Sequence, residues 1–237
     1  MDFEPTPFTP AELWEAAHAS QGFSKHLLSI YSMAVGLDAQ VILDLGIGST
    51  TRALRAAARV TGGKVISCDC DRERYAPLLA HQDDRWQLVL SGTDAFLSAV
   101  DAPVDFVVHD SAHDYFQVRQ DLELILPRMR TFGLVCVHDT QQPELQADMV
   151  AAIRDVTQGW AISMTNLPFA CGLAIIRVER GNHPPRPTRS TMPDGASPDT
   201  APLAMPMRPV GGVGADGADR SLRRFVRWRL RKIVKGF

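Results

Sequence analysis

Short apolar runs alternate with stretches of helical composition along most of the chain. Five runs predict buried β-strands, at residues 41–45, 64–68, 86–90, 104–108 and 134–137. Helical composition follows at 50–60, after the second strand to about 81, at 115–126 and at 145–156. Pro127 and Gly133 predict the turn into the fifth strand. This alternation predicts a mostly parallel sheet with helices on both faces.

Both ends of the pattern add detail. Residues 10–35 are predicted to be helical, with an interruption at Gly22, and two apolar runs at 160–166 and 172–178 have no helix between them. Consecutive strands without a crossover predict an antiparallel hairpin at one edge of the sheet. This α/β arrangement, Rossmann-like with seven strands, resembles the class I methyltransferase fold over roughly residues 20–180. The resemblance implies S-adenosylmethionine (SAM) as the cofactor.

Composition divides the chain into four predicted segments. Residues 1–35 form a helical lid segment, and residues 36–180 form the SAM-binding domain. Residues 181–219 are dominated by Pro, Gly, Ala and small polar residues, which predicts a disordered linker. Residues 220–237 combine Arg and Lys with an apolar face, which predicts a basic amphipathic helix.

Bulk properties exclude some classes of protein. The 237 residues are 45% hydrophobic with a net charge of −2, which allows one sizeable core and indicates no partner through overall charge. The four cysteines lie in or beside apolar runs and are expected to be reduced core residues. Neither a signal peptide nor an apolar stretch of membrane-spanning length is evident, so a cytoplasmic location is expected.

A glycine-containing loop follows the first strand and opens the first helix after it. Glycines allow the backbone to pass close to a ligand, and the exposed N–H groups of a helix start favour an anionic group. In a methyltransferase that group is the carboxylate of the methionine moiety. The alternative is an ordinary tight turn. The predicted cofactor-binding residues here are Asp44, Gly46, Gly48, Ser49 and Thr50.

Two more acids end the next two strands. Asp69 is predicted to accept the ribose hydroxyls, and Asp94, preceded by Thr93, to accept from the adenine amine. Each acid alone could instead cap a helix. The chain contains no phosphate-binding G-x-x-x-x-G-K-[ST] motif and lacks the third glycine of the dinucleotide fingerprint. A sulfonium cofactor without a pyrophosphate therefore fits better than NAD or ATP.

The fourth and fifth strands end in His and Asp residues. Asp110 and Asp139 are expected to face each other across neighbouring strand ends, where two carboxylates repel unless a proton or divalent cation lies between them. Oxygen ligands suit Mg²⁺, Mn²⁺ or Ca²⁺, and His138 as a nitrogen ligand would favour Mn²⁺ or Fe²⁺.

The same region contains Asp110-x-x-His113-x-Tyr115, Asp121-Leu122, Leu126-Pro127, Gly133 and His138-Asp139. With these residues it resembles a narrower family, the metal-dependent sugar and macrolide O-methyltransferases, together with cephalosporin-hydroxylase-like proteins. The resemblance implies that Asp110 and Asp139 hold the metal and that His113 is the general base. Relatives often have a second carboxylate beside the fifth-strand acid, whereas this chain has His138 and Thr140 there.

Other polar residues nearby are expected to have structural or solvent-exposed roles. His109 is expected to pack against the sheet, Asp105 to be structural, and Asp121 and Glu123 to lie on a solvated helix face. His113 could also bond only a backbone carbonyl. Residues 21–26, with Gly22 as a hinge, are expected to cover the cofactor.

The predicted function is metal-assisted O-methylation of a hydroxyl on a sugar, glycan or natural-product-like small molecule. Two alternatives remain, a hydroxylase-like metal enzyme and a non-catalytic module docked to a membrane. The basic segment 220–237 favours an anionic membrane surface as partner over nucleic acid. The alternative is a solvated tail without a partner. The sequence leaves the acceptor, the metal and the oligomeric state open.

Overall fold

The computed structural model describes residues 5–19 and 24–185. Seven strands form one sheet in the order β3-β2-β1-β4-β5-β7-β6, parallel throughout except for β7. The predicted α/β class, with its antiparallel edge hairpin, is confirmed. The strands are β1 (Val41–Leu45), β2 (Lys64–Asp69), β3 (Trp86–Leu90), β4 (Val104–His109), β5 (Met129–His138), β6 (Ile162–Leu167) and β7 (Leu173–Val178).

Helices connect the strands and cover both faces of the sheet. They are α1 (Pro10–His18), α2 (Ser24–Gly36), α3 (Ser49–Thr61), α4 (Arg72–Tyr75), α5 (Thr93–Ala99), α6 (Tyr115–Ile125) and α7 (Gln146–Thr157). Short 3₁₀ segments follow α4 and α6 at Ala76–His81 and Leu126–Arg128.

The central strands are buried on both faces because alternate side chains enter two separate cores. Leu43 of β1 packs in the core that includes Leu122 and Ile153, so α6 and α7 cover that face. Ile42 packs in the core that includes Ile30 and Leu54, so α2 and α3 cover the other. Every residue of β1 and β4 is buried as a result.

Two local expectations need correction. β5 begins at Met129 rather than after Gly133, because Met129 already pairs with Val104 and the register then shifts to pair Leu134 with Phe106. Gly133 therefore lies inside the strand, where an added Cβ would approach the Asp105 carbonyl oxygen to 3.0 Å. Helix α5 was not expected from the sequence.

The N-terminal helices pack on the domain rather than standing apart from it. Leu13 of α1 and Leu27 of α2 meet Ala53 of α3 in a small buried cluster. Gly22, the predicted hinge, lies outside the described residues, as do linker residues 186–219 and the predicted basic helix 220–237. Within the described ranges, none of the helices has the length and apolar character needed to cross a membrane.

Candidate active site

Four side chains converge where β4 and β5 end. Asp110, His113, His138 and Asp139 each offer one ligand atom, and these atoms all lie within 4.8 Å of one another. His138 Nδ1 lies 3.2 Å from Asp110 Oδ1 and 3.0 Å from Asp139 Oδ1. His113 Nε2 lies 3.4 Å from Asp110 Oδ1 and 3.6 Å from Asp139 Oδ2. We refer to these residues as the His/Asp cluster.

Backbone geometry at the two strand ends aims these side chains. The Asp110 amide donates to the Leu45 carbonyl at 2.8 Å, which ties the end of β4 to the end of β1. Asp139 has a φ of 61°, a left-handed conformation that aspartate tolerates better than most residues, and it turns the chain sharply after β5. Asp114 then caps α6 by accepting from the Phe116 and Gln117 amides at 3.1 Å.

The donor set of the His/Asp cluster fits a divalent cation. Burial raises the pKa of Asp110, but the imidazoles of His138 and His113 outweigh it and hold that pKa far below its usual range, so the carboxylate is ionised. Ligands about 2.1 Å from one ion can be up to about 4.2 Å apart. Donor atoms within 4.8 Å of one another therefore need to move by only a few tenths of an ångström. The side chains of His113 and Asp139 are fully buried, whereas that of Asp110 is 22% exposed.

His26 of α2 borders this cluster, although the sequence predicts it only as part of a segment that covers the cofactor. Its ring lies 5.6 Å from the His138 ring and stacks on Phe169 at 4.9 Å, centroid to centroid. Burial lowers the pKa of His26 to about 4, so the imidazole is neutral. Nothing in the sequence pattern alone marks this contact, because α2 and the β6–β7 turn are distant along the chain.

The loop between β1 and α3 lies directly against the His/Asp cluster. Gly46 has a φ of 99°, and a Cβ there would overlap the Asp110 carbonyl, so only glycine fits. Gly48 N-caps α3, and its surroundings are open. Ser49 is exposed and Thr50 is buried in the first turn of α3. The loop thus brings the predicted cofactor site next to the predicted cation site.

Asp44 lies behind this loop and is fully buried. Its Oδ2 accepts hydrogen bonds from the hydroxyls of Thr51 and Ser67, both at 2.7 Å. Burial raises the pKa of Asp44 to about 7. The carboxyl group therefore braces the start of α3 against β2, and any direct contact with a cofactor stays a prediction.

Asp69 holds the same loop from the end of β2. Its Oδ2 accepts from the Ile47 amide at 3.1 Å and its Oδ1 from the Asp71 amide at 2.9 Å. Asp94 lies in the first turn of α5 with an exposed side chain. Among the described residues, it takes no part in the hydrogen bonds that hold the loop. Asp44 and Asp69 thus both contact the segment that leads from β1 into the first turn of α3, whereas Asp94 lies apart from it, in the first turn after β3.

The expectation for Asp121 was wrong. Its side chain is completely buried, and its Oδ2 lies 2.9 Å from His109 Nε2. It shares one helix face with the buried Val118 and Ile125, at the i−3 and i+4 positions, so helical periodicity could have identified it. Glu123 is half-exposed, as expected, and His109 is buried against the sheet, also as expected.

Asp105 has the structural role predicted for it. Its Oδ2 accepts from the amides of Gln40 and Val41 at 3.0 and 2.8 Å, which fixes the start of β1 beside β4. Arg130 forms an ion pair with Asp105, with its Nε 3.3 Å from Asp105 Oδ1. All four cysteines are free thiols; Cys68 and Cys136 are buried in the core, as expected, whereas Cys70 and Cys171 are only half-buried.

Comparison with known proteins agrees with this geometry. Residues 43–140 match the model of a family described as a methyltransferase domain. No curated protein sequence matches. Among solved structures, an O-methyltransferase from Bacillus cereus in complex with SAH is 17% identical, with a TM-score of 0.54 over 72% of this chain and 92% of that one.

Two other structures have the same fold. An SAH-bound methyltransferase from Podospora anserina, PaMTH1, is 15% identical, with a TM-score of 0.54 over 75% of this chain and 90% of that chain. CalS11, a TDP-rhamnose 3′-O-methyltransferase of calicheamicin biosynthesis, is 18% identical, with a TM-score of 0.52 over 73% and 88%. Residues 43–140 thus match a methyltransferase domain, and the described residues have the fold of these solved methyltransferases, in agreement with the predicted enzyme class and cofactor.

Proposed function

We propose that this protein transfers the methyl group of SAM to a hydroxyl oxygen of a sugar, glycan or natural-product-like small molecule, with a divalent cation bound at the His/Asp cluster. The observation that carries the proposal is the convergence of the four donor atoms within 4.8 Å, beside the loop that contains Gly46. The sugar O-methyltransferase CalS11 shares the fold and supports the choice of acceptor class.

Asp110, His138 and Asp139 are the residues proposed to hold the cation. A bound divalent cation supplies Lewis acidity, which lowers the pKa of a coordinated hydroxyl group. The nitrogen of His138 among carboxylate oxygens favours Mn²⁺ or Fe²⁺ over Mg²⁺, because imidazole suits transition metals better than the hard Mg²⁺ ion. Mn²⁺ is therefore the cation we would test first.

His113 is proposed to accept the proton of the acceptor hydroxyl. Its Nε2 lies farther from the two carboxylates than His138 Nδ1 does, 3.4 and 3.6 Å against 3.2 and 3.0 Å. An imidazole at the edge of the donor set can take a proton without giving up a ligand position. His138 is accordingly the better ligand and His113 the better base.

The cofactor is proposed to lie along the ends of β1, β2 and β3. The α3 N-terminus, with Gly46, Gly48, Ser49 and Thr50, favours its carboxylate group. Asp69 is proposed for the ribose, and Asp94 with Thr93 for the adenine end. Asp44 supports the loop from behind through Thr51 and Ser67.

The test uses the full chain freed of metal by a chelator. Calorimetric titration with SAM, with and without Mn²⁺, is followed by assays of SAH release on nucleotide sugars and simple phenols. SAH release that requires both a sugar acceptor and Mn²⁺ supports the proposal. Absence of SAM binding would reject it, turnover indifferent to chelation would reject the cation role, and oxygen-dependent hydroxylation without SAH would favour the hydroxylase-like alternative.

A further inference from the structure

A single buried carboxylate connects the two ends of the proposed site. Asp121 of α6 has no exposed surface. Its Oδ1 accepts from Thr93 Oγ1 at 2.7 Å and from Gln117 Nε2 at 2.9 Å, while its Oδ2 lies 2.9 Å from His109 Nε2. Gln117 Nε2 also donates to Thr93 Oγ1 at 3.0 Å. These contacts tie α5, α6 and β4 together.

Two of the residues that Asp121 contacts, His109 and Thr93, immediately precede proposed ligand-binding residues. His109 is the last residue of β4, next to Asp110 of the His/Asp cluster. Thr93 is the first residue of α5, next to Asp94 at the adenine end. Ser111 Oγ lies 3.3 Å from His109 Nε2 and extends the network into the loop that contains His113.

We propose that Asp121 is a positioning residue that holds the adenine-binding turn of α5 and the cation-binding end of β4 in fixed relation. The inference rests on the proposed function, since it needs both ligands at this sheet edge. Asp121 itself touches neither ligand and acts through Thr93 and His109.

A purely structural role would not require this chemistry. The positions around Asp121 on α6 are filled by Val118, Leu122 and Ile125, and an apolar residue would continue that packing. A buried carboxylate is costly unless all its partners are present, because an unsatisfied charge in a dry interior destabilises the fold. The hydrogen bonds of Asp121 reach the two site segments, so its chemistry serves their alignment.

The central variant is Asp121→Asn, which keeps the size of the side chain but replaces one acceptor oxygen with a donor. It cannot accept from Thr93 and Gln117 while also accepting from His109. We expect the affinities for SAM and for Mn²⁺ each to fall about tenfold, as for the loss of one charge-assisted hydrogen bond. SAM binding is measured by calorimetry without cation, and Mn²⁺ binding by electron paramagnetic resonance without SAM.

A matched pair of glutamines on the same helix separates positioning from stability. Gln117→Leu removes the contacts with Asp121 and Thr93, whereas Gln120→Leu makes the same change at an exposed position. We expect Gln117→Leu to weaken SAM binding about threefold, near the scale of a neutral hydrogen bond, with Mn²⁺ affinity unchanged. Gln120→Leu should change neither affinity.

All affinities are measured well below the unfolding midpoint of each variant. If Asp121→Asn fails to fold, the glutamine pair still decides the question for the adenine end. Variants that unfold at lower temperature but bind both ligands as the wild type does would overturn the inference and leave the proposed function intact. Wild-type protein that binds SAM and Mn²⁺ but releases no SAH would overturn the proposed function and leave the positioning role standing.

Discussion

Acidic residues at one edge of the sheet have two different environments. At the ends of β4 and β5, Asp110 and Asp139 lie near the imidazoles of His113 and His138, and the four side chains converge. At the ends of β1 and β2, Asp44 accepts hydrogen bonds from hydroxyl groups of α3 and β2, and Asp69 accepts from backbone amides of nearby loops. The first pair is proposed to share a cation, whereas the second pair already holds the loop before α3 and the first turn of that helix.

The difference shows that an acid at a strand end does not by itself identify a ligand contact. What separates the two regions is whether the partners of each carboxylate are fixed donors of the protein or other groups able to bind a cation. Both carboxylate oxygens of Asp69 already accept hydrogen bonds from backbone amides, whereas the His/Asp cluster combines four potential ligands. Substitutions in the two regions should therefore have separable effects on cation and SAM binding.

The largest effect is expected from Asp139→Asn. Asparagine keeps the shape and tolerates the φ of 61° at this position, so the fold should be retained. Removing one of two anionic ligands should lower Mn²⁺ affinity about a hundredfold or more, and SAH release with it. Calorimetry with Mn²⁺ and an SAH-release assay measure both.

SAM affinity is the control for Asp139→Asn. Unchanged SAM binding would localise the loss to the cation region. Mn²⁺ binding equal to that of the wild type would show that Asp139 is not a ligand and would break the contrast between the two regions.

The two imidazoles of the cluster should differ from each other. We expect His138→Asn to lower Mn²⁺ affinity about tenfold or more, because it removes the nearer nitrogen, and to bring Mn²⁺ and Mg²⁺ affinities closer together. We expect His113→Asn to change Mn²⁺ affinity less and to lower kcat by about a hundredfold, the scale of a lost general base. Binding titrations with both cations and steady-state kinetics make the comparison.

A reversed outcome would exchange the two roles. If His113→Asn abolishes Mn²⁺ binding while His138→Asn mainly lowers kcat, then His113 is the ligand and His138 the base. Equal losses of cation affinity would make both residues ligands.

Most of the sheet and the His/Asp cluster could be predicted from the sequence. Strands β1 and β3 stand out as short apolar runs, and the parallel order brings Asp110 and Asp139 to adjacent strand ends. Helical periodicity could have shown that Asp121 is buried, but its partners and those of His26 could not be predicted, because they depend on contacts between distant segments. The early start of β5 was also hidden, since its register shift beside Gly133 depends on pairing with β4.

Asp69→Asn, at the end of β2, is expected to have a smaller effect, and on SAM affinity rather than on Mn²⁺ affinity. The new amide group cannot accept from both the Ile47 and Asp71 amides, so the loop before α3 should lose one of its two anchors. We expect SAM affinity to fall about tenfold while Mn²⁺ affinity is retained. Calorimetry on the variant and on Asp84→Asn, an exposed control, measures the change. Lost Mn²⁺ affinity in Asp69→Asn would contradict the separation of the two regions.

The smallest effect is expected from Gly92→Ala, which acts on the adenine end alone. Gly92 N-caps α5 with a φ of −65°, so alanine causes no backbone strain there, but its Cβ would lie 2.8 Å from Asp94 Oδ1. The flexible Asp94 side chain must turn away, and we expect SAM affinity to fall about two- to threefold, with a stability change within about 0.5 kcal/mol.

Calorimetric titration with SAM and a thermal unfolding curve test this, with Asp94→Ala as reference. Because Asp94 is proposed to accept from the adenine amine, Asp94→Ala should weaken binding at least as much as Gly92→Ala. If neither variant changes SAM affinity, the acid at the end of β3 contributes nothing to the cofactor site, and the loop held by Asp69 must suffice.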